Sequence, residues 1–283
     1  MTPIATAAEH NLAFNGECAE ARQKGGGVVA TAVSGFREDR ASDRTFFAVF
    51  VALCWTGVLF GFFPASGARM MGKADYVAPL ILHVHAAAFV GWLALLTVQM
   101  LLIRKGRCDL HMKLGLVAVL LIPVMAYSGL AAELYSQRFY IQRADDGLDF
   151  FILPLFYTFA FPAFAIAAIF FTRRDPSAHK RLILMATTII IGAAYARWWG
   201  APLERVFGDA YWGMIFNSFT GTNLILAGAV AYDVFSRGRP HRVYLIGVPM
   251  ILAGQLLCSW IYHADWWPPL SRELIELRLP LST

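Results

Sequence analysis

Seven runs of roughly twenty or more residues, almost free of charge, punctuate this chain of 283 residues at 46–63, 76–103, 112–134, 149–172, 181–199, 212–235 and 243–264. At about 1.5 Å of rise per residue each is long enough to cross a hydrocarbon core. Inside such a core no water is available to the backbone, so each run must satisfy its own N–H and C=O groups and form a helix. The expected fold is therefore all-α, a polytopic membrane protein with a bundle of seven transmembrane helices. Composition agrees: 58% of residues are hydrophobic and 15% are charged, against about 25% charged in soluble domains.

Residues 1–44 are polar and carry Gly25-Gly26-Gly27 and five basic side chains, without the apolar stretch of a signal peptide. They read as a flexible cytoplasmic tail. The transmembrane domain is expected over 45–268, followed by an outer-side tail, 269–283. If the tail side also holds the turns at 104–113, 173–181 and 237–242, it gathers sixteen of the 24 Lys and Arg residues. That excess places the N-terminus in the cytoplasm. Trp198, Trp199, Trp212, Trp266 and Trp267 then mark the outer boundary. Pro123, Pro154, Pro162 and Pro249 fall inside runs three, four and seven, where kinks are expected. Cys18, Cys54, Cys108 and Cys258 are scattered without a CxxC pair, which points neither to a disulfide framework nor to a thiolate metal site.

The second run, PLILHVHAAAFVGWLALLTVQMLLIRKGRCDLHMKLG with its exit turn, places His83, His85 and Gln99 where polar groups are expensive. Helical spacing puts His85, Phe89, Trp92 and Gln99 on one stripe and turns His83 to nearly the opposite side, beside Ala87, Gly91 and Ala94. A neutral imidazole inside a helix bundle can hold the iron of haem b or another tetrapyrrole. His85 is the first choice of ligand; His83, Trp92, Gln99, Arg197 and His263 complete the candidate cofactor-binding set. The competing reading has His85 hydrogen-bonding Asn217, Thr222 or Asn223 of the sixth run.

Three turns share a pattern: IRKGRCDLHMKLG, FTRRDPSAHKRLI and FSRGRPHRVYLIG each run basic pair, turn, His, basic residue, new helix. Hairpins 2–3, 4–5 and 6–7 therefore resemble three copies of one unit. One reading leaves the histidines as wet interfacial residues beside anionic headgroups. The other brings His111, His179 and His241 together with Lys180 and Arg181 as a site for an anionic ligand, a lipid headgroup or a haem propionate. Fixed cations beside each histidine oppose a metal there, and none is expected. Asp233, near Arg237 and Arg239, reads as an ion-pair partner.

The runs PLILHVHAAAFVGWLALLTVQ, GRCDLHMKLG, RRDPSAHKRL, AAYAR and YDVFSRGRPHRVYLIG resemble a widespread family of bacterial multi-pass inner-membrane proteins without an assigned activity. The resemblance covers roughly 46–262 and centres on His83, His85, Trp92, Gln99, Arg107, His111, Asp175, His179, Arg181, Arg197, Asp233 and His241. The chain departs from it in its longer N-terminal tail and in His263. The resemblance implies a bacterial inner-membrane location and the same architecture, and leaves the chemistry open.

Several function classes fall away. Adjacent histidine pairs of membrane di-iron oxygenases and DDxxD clusters do not occur, and the seventh run has no lysine for a retinal Schiff base. Consecutive hairpins lack the inverted repeat common in secondary transporters, which ranks transport third. The leading expectation is a tetrapyrrole-binding or lipid-binding membrane protein serving electron transfer or a redox complex. The alternative is an accessory or assembly subunit whose histidines are structural. Expected partners are the lipid bilayer and other membrane-complex subunits or further copies of this chain, with no nucleic acid.

Overall fold

The computed structural model describes residues 42–73, 77–144 and 147–276. Within them the helices are α1 (Asp43–Met70), α2 (Leu80–Arg104), α3 (Cys108–Ala144), α4 (Ile152–Phe171, entered through a 3₁₀ turn at Asp149–Phe151), α5 (Pro176–Phe207), α6 (Tyr211–Arg237), α7 (Arg242–Tyr262) and α8 (Trp267–Glu276). The first seven are long and apolar enough to span a membrane. The described fold is therefore the expected all-α, multi-pass bundle. The tail before Ser42 lies outside the described residues.

α5 is the axis. About two thirds of its apolar stretch is buried, against a third or less in the other six spans. The sequence explains the position: TTIIIGAAYA offers small and β-branched residues all round, with no charge to turn outward. α1, α4, α6 and α7 pack directly on it. α2 reaches it through a side-chain bridge in which Trp92 Nε1 donates to Thr187 Oγ1 at 3.1 Å. α3 closes the ring between α2 and α4. At the basic end, Phe46 of α1 stacks on Tyr232 of α6 with centroids 4.1 Å apart.

Close approach to α5 depends on glycine. A Cβ on Gly61 of α1 would run into the Ala194 carbonyl, and one on Gly221 of α6 into the Tyr195 side chain. Both would force backbone apart, not merely a rotamer. Helix ends follow their sequence. Asp175 caps α5, its Oδ1 accepting from Ala178 N at 2.8 Å, with Pro176 at the first helical position. Gly238 ends α6 in the left-handed conformation at φ 77°.

Four expectations need correction. α3 extends from Cys108 to Ala144, about 55 Å at 1.5 Å per residue, well beyond the expected 112–134; its polar last turns lie past the apolar core. α5 likewise runs on to Phe207. Most of 269–283 is no tail: α8 packs across the end away from the basic turns, where Trp267 Nε1 donates to Asp149 O at 3.2 Å, Ser271 Oγ to Leu148 O at 2.9 Å, and Arg138 Nε to Ile275 O at 2.6 Å. Its apolar face, Trp267 and Ile275, is buried, so Trp267 is a packing residue. Cys54 and Cys258 are free and buried, whereas Cys108 is disulfide-bonded, a pairing the scattered spacing did not signal. Pro123, Pro162 and Pro249 lie inside their helices; Pro154 sits in the first turn of α4, where a missing N–H costs nothing.

Gly61→Ala should pry α1 from α5 and lower stability by about 1–3 kcal/mol. The check is thermal unfolding of the detergent-solubilised protein, with Gly67→Ala, whose Cβ meets nothing within 4 Å, melting as wild type.

Candidate functional site

Histidines occupy two zones of the bundle. In the half away from the basic turns, the α2 stripe faces inward as the spacing predicts. Trp92 is buried at 3% exposure and meets Phe161 edge-on at 5.0 Å. The His85 ring lies 4.7 Å from that of Phe89 and about 3.5 Å from where a Cβ on Gly129 would sit. Its Nδ1 is buried and has no partner among the described residues. His83 points to the exposed side, so the two histidines do not share a ligand.

Arg197 stands over this zone. Its Nη1 donates to Ala193 O at 3.0 Å, its guanidinium lies 4.8 Å from the Phe62 ring centroid, and its charge reaches His85, Glu133 and Tyr157. Glu133 in turn accepts from Gln137 Nε2 at 2.8 Å. Neighbouring hydroxyls also lack partners among the described residues: Ser128, beside Gly129, and Tyr157, which faces Gly192. The hydrogen bonds from His85 to α6 are not made. Asn217 donates instead to Gly208 O at 3.0 Å, and Asn223 accepts from Gln255 at 3.0 Å.

His263 is elsewhere. Its Nδ1 faces Ser259 O at 2.7 Å and its Nε2 faces Asp209 O at 3.1 Å, between the rings of Tyr211 and Tyr262. It shares no contact with His85, so the structure does not assemble a bis-histidine pair from these two.

At the basic end, charges crowd into one buried chain. Arg181 Nε and Nη2 donate to Asp233 at 2.7 and 2.5 Å, and its Nη1 donates to Ser177 O and Oγ. Arg237, whose side chain is fully buried, bridges Asp233 at 3.3 Å to Asp43 at 2.6 Å. Asp43 also accepts from Lys180 at 2.8 Å and from the Tyr232 hydroxyl at 2.6 Å. Four of the five charged members, Lys180, Arg181, Asp233 and Arg237, were legible as charged neighbours of helix ends; Asp43, placed in the tail by composition, is the one that sequence reasoning missed. Its signal was its position in the first turn of an apolar helix.

Lys180 and Arg181 therefore face carboxylates and are not gathered around an anionic ligand. His241 belongs to the same chain: its backbone N donates to Asp233 at 3.2 Å, its Nδ1 caps α7 by accepting from Val243 N at 3.3 Å, and its Nε2 lies 3.8 Å from Asp175. His111 and His179 lie apart from it, within electrostatic reach of one another. His241 is thus a cap and does not join His111 and His179 in a three-histidine site. Gln99 belongs with His111, its Nε2 donating to His111 O at 3.1 Å. Among the described residues no three His, Cys, Asp or Glu side chains group as a metal site. Apolar grooves of about 260 and 580 Å³ open between α1, α5 and α6 and between α6 and α7; His85 lines neither.

Asp233→Ala leaves Arg181 and Arg237 buried against one carboxylate fewer, and should cost about 3–5 kcal/mol, read as a lowered melting temperature with Asp109→Ala, on the exposed turn, as the unaffected control. Burial, followed by the Arg181 charge, pushes the His241 pKa down to about 4, so the cap works with a neutral ring. The unfolded chain titrates near 6.5 and binds the proton first. Stability should be flat above pH 6.5, fall between 6.5 and 4 by at most about 3 kcal/mol, and level off below. His241→Asn keeps a cap and should flatten that segment of the melting-temperature profile.

No protein-family model, curated protein or solved structure matches the chain, so a functional reading stands on residues and geometry.

Proposed function

We propose that this protein binds haem b or a related tetrapyrrole within the bundle and serves electron transfer in a bacterial inner membrane, with its N-terminus cytoplasmic. The observation that carries the reading is His85 Nδ1: a buried ring nitrogen, without a partner among the described residues, on an inward stripe. Leaving such an atom unpaired in a low-dielectric interior costs on the order of 1–3 kcal/mol, which a ligand bond would recover. The residues fit one end of such a group. His85 would supply a nitrogen ligand, Phe89 and Trp92 an aromatic wall, and Arg197 a positive charge for a propionate. His83 and His263 would take no part, leaving His85 as the one histidine to hold the group. Bound, the tetrapyrrole supplies one-electron chemistry; the chain holds it and keeps water away. Acyl chains of lipid fit the apolar groove between α1, α5 and α6.

The second reading, an accessory or assembly subunit with structural histidines, is favoured by a different observation. His179, His241 and His263 each place a ring nitrogen on a main-chain group, as structural residues do. Spectroscopy separates the two. Protein purified from haem-replete cells should show a Soret band that shifts on dithionite, and His85→Ala should reduce it at least about tenfold while His263→Ala leaves it. A colourless protein that co-purifies with other membrane subunits would replace the first reading with the second.

A further inference from the structure

Threonine hydroxyls in this bundle fall into two groups. Thr97 Oγ1 donates to Leu93 O at 2.7 Å and Thr220 Oγ1 to Phe216 O at 2.8 Å, the bond to the carbonyl one turn back that threonine makes in an apolar helix. Thr222, only 2% exposed, leaves its hydroxyl buried without a partner among the described residues, and so does Tyr157. Both oxygens are aimed at one point. A Cβ on Gly192 would press on Thr222 Oγ1 and meet the Tyr157 hydroxyl oxygen at 3.4 Å. Oxygens from α4 and α6 therefore flank the same bare stretch of α5 backbone, no more than about 6 Å from each other. That is the span one water covers with two O–H···O bonds of about 2.8 Å.

The surroundings select a small polar occupant. A hydroxyl both donates and accepts, so each of the two can serve a water in either sense, and a buried water makes about two to four such bonds. Beyond them the wall is apolar: Phe219 is fully buried, its ring 6.4 Å from that of Tyr157. Tyr157, Gly192 and Thr222 line neither of the apolar grooves, so an acyl chain seated in those grooves does not reach the hydroxyls. Glycine at 192 keeps a side chain from coming between them.

We propose that Tyr157 and Thr222 hold one buried water molecule against Gly192, joining α4 and α6 to the central helix. The site uses none of the side chains that would hold the tetrapyrrole.

Variants that remove only a hydroxyl test this by the sign of their effect. Were the hydroxyls simply unpaired, Tyr157→Phe would remove a buried polar group without losing a bond, and the detergent-solubilised full chain would melt at or above the wild-type temperature. With a water to lose, Tyr157→Phe and Thr222→Val should each lower the melting temperature by about 2–4 °C. The double variant should lose little more than either single one, because the first substitution already releases the shared water. Thr220→Val, which gives up only a bond within its own helix, should melt as wild type. An unchanged or raised melting temperature in Tyr157→Phe, or losses that add in the double variant, would overturn the site. Should a variant fail to fold, water-edited solid-state NMR of the wild type in lipid decides: rapid magnetisation transfer from water to the Gly192 Cα protons supports the site, and its absence overturns it.

Discussion

The fold depends on a buried chain of alternating charge, Arg181–Asp233–Arg237–Asp43–Lys180, that joins the first turn of α1 to the start of α5 and the end of α6. None of these ions is affordable alone beside a hydrocarbon core. Desolvation costs several kcal/mol per ion, and only close pairing with every proton and lone pair engaged offsets it. Arg181 shows how completely that is done: three of its nitrogens donate, to two oxygens of Asp233 and two of Ser177. Because the chain's members lie up to 194 positions apart, it also fixes which helix stands beside which.

Two kinds of packing follow from this anchorage. On the α1, α6 and α7 side, glycines let backbone touch the central helix, and specificity comes from shape. On the α2 and α3 side the contact with α5 runs through longer side chains such as Trp92 to Thr187. Buried polar atoms without a partner among the described residues occur on both flanks: on His85, Gln99, His111 and Ser128 of α2 and α3, and on Asn217, Thr222 and Gln255 of α6 and α7.

The helices were legible because a bilayer tolerates only long uncharged runs, and the His85 stripe because a 3.6-residue period carries direction. Helix ends were less so. α3 and α5 outrun their apolar cores since nothing beyond the core forbids helix, and α8 was hidden because a ten-residue amphipathic segment resembles a polar tail until it has a surface to cover. The grouping of histidines was not legible. Three similar turns placed His111, His179 and His241 at one depth, but depth does not give azimuth around the axis. His241 turned toward Asp233, which the sequence pairs with its neighbour Arg237 four residues on, while the partner 52 residues away, Arg181, left no local trace.

What distinguishes these histidines is the count of donors and acceptors around each ring. A neutral imidazole has one proton and one lone pair, and surroundings made of main-chain groups decide which is spent. His241 spends its Nδ1 lone pair on Val243 N and becomes a cap. His263 faces carbonyl oxygens with both nitrogens and becomes a strut between α6 and α7. His179 spends its proton on Ala168 and keeps a lone pair. His111 and His85 each keep a buried nitrogen that nothing in the described protein answers. Identical side chains at similar depths therefore divide, by a local rule, into rings whose lone pair is used by the main chain and rings that keep a buried nitrogen unanswered.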